Sequence, residues 1–235
     1  MRKKEESKVI PNFAPWLGVF ETLKVINGRV LFFKEHALSL KESAAVMGLR
    51  APSEKVLQKI QIPRLSGRLR WIVDTEGFRF LFNAEKMGRR SAYILGVSQV
   101  RVGSQNWDAR YKTVSYLSHW QARMECETVD EVVLLNEWDE IATVSMANIF
   151  WVKNGVVYTP SIDCGCRKGV VRQWIQKQVR VKEGGYGLDQ LAEAEEIFLT
   201  NSMLGVQPVC RFLGRAFRKG KQTSLFVKKW NEFLI

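Results

Sequence analysis

The hydrophobic and polar positions of the first hundred residues follow two different periods, which predicts a mixture of strands and helices. Residues 18–33 contain two β-rich runs on either side of Asn27-Gly28, a dipeptide typical of tight hairpin turns. Apolar residues recur at helical spacing over 35–48, and Gly48 is expected to end that helix. Three further elements are predicted: a short helix at 54–60, a hairpin at 66–83 and a strand at 92–102.

The second half of the chain contains a similar mixture after a polar, turn-rich segment at 103–109. We predict a domain linker there, which gives an N-terminal α+β domain over 1–103 and a C-terminal domain over 104–235. The segment beyond residue 213 is expected to be a basic tail. The elements predicted between them are helices at 114–126, 169–178 and 188–194 and strands at 131–136, 147–153, 156–159, 197–200 and 205–213.

Composition places the protein among folded, globular chains. Of its 235 residues, 46% are hydrophobic and 26% are charged, which excludes a disordered chain. The sequence has no apolar run of about 18 residues, so no membrane span is expected. The charged N-terminus, residues 1–6, is not followed by the apolar stretch of a signal peptide. With only four cysteines, we expect a cytoplasmic protein without a disulfide framework.

The net charge of +12 raises nucleic acid as a partner, because clustered Lys and Arg neutralise phosphates. The basic residues are nevertheless spread along the chain, and only 211–221 is dense. No nucleic-acid-binding motif accompanies that segment. A generally basic surface is therefore the preferred explanation, nucleic acid binding is not favoured, and a small anionic substrate remains open.

Metal and nucleotide sites are not favoured by the motifs present. His36 and His119 are far apart in sequence, and Cys164-Gly165-Cys166 has neither the usual zinc-ligand spacing nor a second pair. The sequence contains no nucleophile-elbow serine, no Walker loop and no dinucleotide fingerprint. We therefore expect no metal site.

A series of short segments, each weak alone, resembles the class IV aminotransferase family of pyridoxal-phosphate enzymes in order and spacing. That family includes branched-chain and D-amino-acid aminotransferases and aminodeoxychorismate lyase. The resemblance implies a two-domain, D-amino-acid aminotransferase-like α+β fold: a small N-terminal α/β sandwich and a C-terminal pseudo-barrel with the cofactor between them. It also implies a homodimer. The matching segments are 18–22 with His36, 111–117, 134–136, 148–152, 159–160, 169–172 and 200–209.

The resemblance assigns roles to individual residues. Lys112 matches the lysine that forms the Schiff base with pyridoxal 5'-phosphate and then acts as general acid and base. Such a lysine must be neutral part of the time, which partial burial and nearby cations promote. The cofactor phosphate is assigned to the amides of Val170 and Val171, at a helix start, and to a second loop carrying the Ser202 hydroxyl and the Met203 amide. Candidates for substrate contacts are Thr22, Phe20 and Arg110.

Several positions depart from the family pattern. Ser39 stands where a phosphate-binding Arg is usual, and Thr143 stands where a Glu accepts the proton of the pyridine nitrogen. A hydroxyl does not stabilise a pyridinium by charge, so the ring is expected to withdraw electrons less strongly. The third such departure is Phe20, where part of the family has Tyr near the cofactor, and Val171 stands where the family often has Thr. Compensating phosphate charge could come from Arg110, Arg167 or Lys168.

Three functions remain open on this basis. The preferred one resembles aminodeoxychorismate lyase, which converts 4-amino-4-deoxychorismate to p-aminobenzoate and pyruvate in folate biosynthesis. Aromatisation of the product supplies driving force, so this reaction should tolerate a weaker electron sink than transamination. The segment 200–209 also resembles the lyases more than the branched-chain enzymes. The alternatives are a class IV aminotransferase for branched-chain or D-amino acids, and a catalytically impaired member that acts as a binding protein.

Overall fold

The computed structural model describes residues 17–86, 90–125 and 127–234, so the charged segment 1–6 lies outside the described residues. Its strands are β1 (Gly18–Ile26), β2 (Arg29–Val30), β3 (Gly67–Asp74), β4 (Gly77–Ala84), β5 (Tyr93–Val102), β6 (Glu131–Asn136), β7 (Ile141–Val144), β8 (Asn148–Lys153), β9 (Val156–Pro160), β10 (Val181–Gly184), β11 (Glu196–Asn201), β12 (Gly205–Phe212) and β13 (Arg215–Ala216). Its α-helices are α1 (Phe33–Val46), α2 (Glu54–Gln58), α3 (Trp107–Arg110), α4 (Leu117–Met124), α5 (Val170–Gln178), α6 (Leu188–Ala192) and α7 (Lys221–Leu234).

The smaller sheet is antiparallel, with strand order β2-β1-β3-β4. The predicted hairpin turn is confirmed: Asn27 and Gly28 have φ of 49° and 81°, the left-handed backbone that suits this dipeptide. The second strand is shorter than predicted, because Phe32 turns left-handed at φ 52° and α1 begins at Phe33. Helix α1 covers the face of β1 and β3 that buries Leu23, Leu69 and other apolar side chains.

The larger sheet has the order β10-β9-β8-β11-β12-β5-β6-β7, and β13 pairs with β12. Strand β5 runs parallel to both β12 and β6. Sheet pairing therefore changes from one sheet to the other before residue 93, ahead of the predicted boundary at 103. The division into domains 1–103 and 104–235 stays a prediction. The α+β fold class itself is confirmed.

Three expectations about the second half need correction. The predicted basic tail contains α7, because Thr223, Phe226 and Trp230 recur at helical spacing and are buried against the larger sheet. Strand β7 was not predicted, although all four of its residues are buried. The predicted helix at 114–126 begins later, at Leu117, since the preceding residues bind the smaller sheet instead.

A short extended segment connects the two sheets and fixes the position of Lys112. The amide of Phe20 donates to the Lys112 carbonyl at 2.8 Å, and the amide of Val114 donates to the Gly18 carbonyl at 2.9 Å. The main chain of residues 112–114 thus lies alongside β1. Among the described residues, no helix is long and apolar enough to cross a membrane.

Candidate active site

Lys112 lies where the two sheets meet, and its environment favours the neutral amine. Its Nζ atom is 5.2 Å from the centroid of the Phe20 ring. Burial lowers the pKa of Lys112 to about 8, the carboxylate of Glu21 opposes that change, and Arg167 and Arg70 add to it. At that pKa roughly a tenth of the amine is neutral at pH 7. The side chain can therefore serve as a nucleophile and as a proton carrier.

A chain of hydrogen bonds runs from the strand beside Lys112 to the loop after β11. The Glu21 carboxylate contacts His36 Nδ1 at 2.7 Å and accepts from the Ser39 hydroxyl at 2.6 Å. His36 Nε2 lies 3.1 Å from the Ser202 hydroxyl. Burial would raise the pKa of Glu21, but His36, Lys112 and Ser39 together hold it below its usual value. Ser39 and Ser202 are thus joined through Glu21 and His36.

The start of α5 has the geometry of an anion-binding site. Gly169 precedes the helix, and the amides of Val170 and Val171 in its first turn have no intrahelical carbonyl to bind. A Cβ atom on Gly169 would lie 2.1 Å from Asn148 Oδ1. A side chain here would have to displace Asn148, whose Nδ2 donates to the Arg167 carbonyl at 2.9 Å.

The second predicted phosphate loop is folded around Asn201. The amide of Met203 donates to Asn201 Oδ1 at 3.0 Å, so this donor is already engaged within the loop. The Met203 carbonyl accepts from Lys24 Nζ at 2.9 Å. Nearby, Thr200 is fully buried and its hydroxyl has no hydrogen-bond partner. Thr200 shares a strand face with Phe198, which packs in the same cluster as Val171.

Thr143 is buried on β7 and uses its hydroxyl locally. Its Oγ1 donates toward the carbonyls of Ala147 at 3.0 Å and Val144 at 3.2 Å. A hydroxyl that already donates its hydrogen bond to the main chain can only accept hydrogen bonds from other groups. It supplies no negative charge to a neighbouring ring.

A second polar cluster surrounds Arg167 and was not expected from the sequence. The guanidinium lies over the Tyr116 ring at 4.5 Å, and its Nη2 donates to the Asp108 carbonyl and to His119 Nε2 at 2.8 and 3.1 Å. Burial and the charge of Arg167 lower the pKa of His119 to about 3, so this histidine is neutral. Tyr116 stacks on His119, and both contact the Ser145 carbonyl.

The remaining predicted substrate residues differ in their surroundings. Phe20 and Thr22 share one face of β1, and the Phe20 ring meets Tyr116 edge-on at 6.0 Å. Arg110 instead donates its Nε to the Ser104 carbonyl at 2.7 Å and approaches Asp163. Glu21, Arg70 and His119 were missed, because nothing local in the sequence shows that distant elements place them around Lys112.

Among the described residues, no group of three or more His, Cys, Asp or Glu side chains could hold a metal ion. Cys164 and Cys166 are both buried, and burial raises the pKa of each thiol. Both therefore stay protonated and unreactive near neutral pH.

Comparison with known proteins supplies the family. The model of the family described as amino-transferase class IV matches residues 18–212, most of the chain. The chain belongs to the class IV aminotransferase family. Its members are pyridoxal-phosphate-dependent enzymes, and the two-domain fold expected from the sequence is confirmed by solved class IV structures. One of these, a branched-chain aminotransferase from Thermoproteus uzoniensis, superposes with a TM-score of 0.84 at 22% identity, covering 98% of this chain and 91% of that one.

Two relatives illustrate that the chain is similar both to aminotransferases and to lyases of the class IV family. A putative branched-chain-amino-acid aminotransferase from Methanocaldococcus jannaschii is 27% identical over 92% of this chain and 85% of its own length. An aminodeoxychorismate lyase from Vibrio harveyi is 31% identical over 49% of this chain and 45% of its own length. The chain thus matches lyases and aminotransferases at similar, modest identity.

The class IV cofactor is compatible with the residues present. A lysine amine of lowered pKa, a glycine-started helix and the partnerless buried hydroxyl of Thr200 are features that pyridoxal phosphate could use. The site differs from the family pattern at two positions. Ser39, in place of an Arg, is hydrogen-bonded to Glu21, and Thr143, in place of a Glu, is hydrogen-bonded to the main chain.

Proposed function

We propose that this protein is a pyridoxal-phosphate-dependent lyase of the aminodeoxychorismate type, which forms p-aminobenzoate and pyruvate from 4-amino-4-deoxychorismate. The observation that carries the proposal is the state of Thr143. Its hydroxyl donates a hydrogen bond to the Ala147 carbonyl and carries no charge. A site without that charge favours a reaction in which the product gains aromatic stability over one that depends on a strong electron sink. The similarity to aminodeoxychorismate lyases supports the same choice.

Individual residues would have defined tasks in this reaction. Lys112 would hold the cofactor covalently through Nζ, the Val170 and Val171 amides would bind its phosphate, and Ser202 would add a hydroxyl. When bound, the cofactor supplies the electron-withdrawing ring that weakens bonds at the substrate's amine-bearing carbon. Lys112 Nζ would take the proton from that carbon, which its pKa of about 8 allows near neutral pH.

A class IV aminotransferase is the second candidate. It is favoured by the Methanocaldococcus relative, whose similarity extends over 92% of this chain. Transamination would use the same lysine and the same phosphate-binding amides. It would place greater demands on the pyridine ring, because both half-reactions need a strong electron sink.

The deciding experiment combines a spectrum with two product assays. Protein incubated with pyridoxal phosphate is expected to develop a visible absorbance band that Lys112→Ala abolishes. The loaded protein is then given 4-amino-4-deoxychorismate, with pyruvate and p-aminobenzoate measured, and separately an amino-acid panel with keto acids measured. Pyruvate with p-aminobenzoate supports the lyase, and keto acids from the panel support the aminotransferase. A protein that takes up no cofactor overturns both enzymes and leaves a binding protein.

Three finer expectations belong to this proposal. The protein would act as a homodimer, in the cytoplasm, as a step of folate biosynthesis. Exposed apolar side chains on and near α4 are available for a subunit contact: Trp107, Leu117, Trp120 and Met124. Light scattering of the loaded protein tests the dimer directly.

A further inference from the structure

Two arginines flank Lys112, one from the smaller sheet and one from the loop before α5, and we propose that they bind the two carboxylates of a dianionic amine substrate. Arg70 lies on β3 of the smaller sheet, and Arg167 lies three residues before the start of α5. The inference rests on the proposed function, since it names the residues that would recognise that substrate and the charge that they select.

The two guanidinium groups lie over two aromatic rings that contact each other. Arg70 Cζ lies 5.2 Å from the centroid of Phe20, and Arg167 Cζ lies 4.5 Å from that of Tyr116. The two rings contact each other edge-to-face, with centroids 6.0 Å apart. Lys112 Nζ is 5.2 Å from the same Phe20 centroid. Three cationic side chains therefore surround two touching rings, at the point where the reacting amine of a substrate would arrive.

Neither arginine is paired with an acid among the described residues. The Nε atoms of Arg70 and Arg167 are buried without a hydrogen-bond partner. The Nε atoms of Arg68 and Arg172 are also buried and unpartnered, but those arginines bind the carboxylates of Glu85 and Glu183. Arg167 donates only to the neutral His119 ring and a main-chain carbonyl. A partly buried guanidinium with an unpartnered Nε is costly, and a carboxylate that binds it through two hydrogen bonds reduces that cost.

The electrostatics of the cluster also favour an incoming anion. Burial and the neighbouring Arg68 lower the pKa of Arg70, whereas the carboxylate of Glu85 acts in the opposite direction. Both flanking arginines lower the pKa of Lys112. Glu21 is the carboxylate that opposes them, and it is engaged with His36 and Ser39. Because the arginines lie over separate rings, one on a strand and one in a loop, two carboxylates on one rigid ligand would satisfy them better than one.

Matched aromatic acids test this arrangement without requiring turnover. Isophthalate and benzoate share a ring and differ by one carboxylate, and their Kd values are measured by calorimetry on the protein loaded with pyridoxal phosphate and on the protein alone. We expect isophthalate to bind at least about tenfold more tightly than benzoate, as one extra charged hydrogen-bond pair provides. Arg70→Gln and Arg167→Gln should each reduce that ratio below about threefold.

Controls come from neighbouring elements. Arg79→Gln, exposed on the neighbouring β4, and Lys177→Gln, exposed on α5, should leave the ratio unchanged. Arg70→Lys and Arg167→Lys keep the charge and should give intermediate ratios, which separates recognition from loss of folding. An unchanged ratio in both Gln variants overturns the proposal. A fall in the pyridoxal phosphate-to-pyridoxal affinity ratio instead makes the arginine a cofactor-phosphate residue, which also overturns it. A protein that shows the isophthalate preference but releases no pyruvate would contradict the proposed function alone.

Discussion

His36 Nδ1 lies 2.7 Å from Glu21 Oε2, and this buried contact joins the first helix to the strand that carries Phe20. Both side chains are almost completely inaccessible, so each depends on the other for its polar partner. Ser39 completes the carboxylate's contacts, and Ser202 completes those of the imidazole. A buried hydrogen-bonded cluster of Glu21, His36 and Ser39 thus occupies the place where the family pattern leads one to expect a phosphate-binding arginine.

Glu21→Gln should lower the free energy of unfolding by about 3 kcal/mol at pH 7, because it removes the buried negative charge and leaves one acceptor oxygen where His36 and Ser39 now use two. The folded-state pKa of Glu21 lies below its usual value, so its carboxylate stabilises the fold above the unfolded pKa. That contribution is lost as pH falls through the folded pKa. Urea denaturation of the two proteins should therefore show a gap at pH 7 that narrows below about pH 4.5. A gap independent of pH would mean that the carboxylate charge is not what stabilises the pair.

The rate at which pyridoxal phosphate is captured should follow the titration of Lys112, with a midpoint near its pKa of about 8. Between pH 7 and pH 9 the neutral fraction, and with it the rate, should rise about tenfold. Arg167→Gln should move the midpoint up and Glu21→Gln should move it down, because they remove charges of opposite sign. Stopped-flow absorbance across the pH range measures all three proteins. Midpoints that move in the same direction would contradict the electrostatic account.

Thr143→Val should destabilise the fold by about 1 kcal/mol, since the Ala147 carbonyl loses one of its two hydrogen-bond donors and keeps only the Val144 amide. Cofactor affinity and the position of the visible band should not change, because the hydroxyl proton is already used by the main chain. Thermal unfolding and a cofactor titration measure the two effects separately. A marked change in the band would show instead that the hydroxyl contacts the cofactor ring.

Gly169→Ala should weaken pyridoxal phosphate binding at least about tenfold and leave the binding of pyridoxal, which lacks the phosphate, nearly unchanged. The added methyl would meet Asn148 Oδ1 at 2.1 Å and displace the residue that holds the start of α5. Combining it with Asn148→Ala removes the clashing atom and serves as the matched control. If the double variant binds no better than the single one, Asn148 is itself required and the steric explanation fails.

The helices and strands could be predicted from the sequence wherever one sequence pattern is much stronger than the others. Asn27-Gly28 is typical of the left-handed turn that the structure shows, and strand β6 was predicted with its observed bounds because four consecutive apolar residues lie at 132–135. Helix α7 was missed since its basic residues obscured the spacing of Phe226 and Trp230. The spacing of apolar residues reveals the buried face of a helix only when the charged residues of its exposed face do not dominate the segment.

The site was accessible only in part. Lys112 could be found because it lies in a motif, and so could the helix start at Gly169. The contacts among Glu21, His36 and Ser202 could not, because they join residues on a strand, a helix and a distant loop. Sequence patterns report which face of an element is buried, whereas the partner across that face depends on how separate elements pack.

The hydrogen bonds that tie residues 112–114 to β1 have a mechanical consequence. Because the Lys112 main chain is bonded to the smaller sheet, a rigid-body hinge between the sheets would carry the amine along with Phe20 and Glu21. The helix start at Gly169 would stay with the other body. Such a motion would change the distance from Lys112 Nζ to the start of α5 without any change in the rotamer of the lysine side chain.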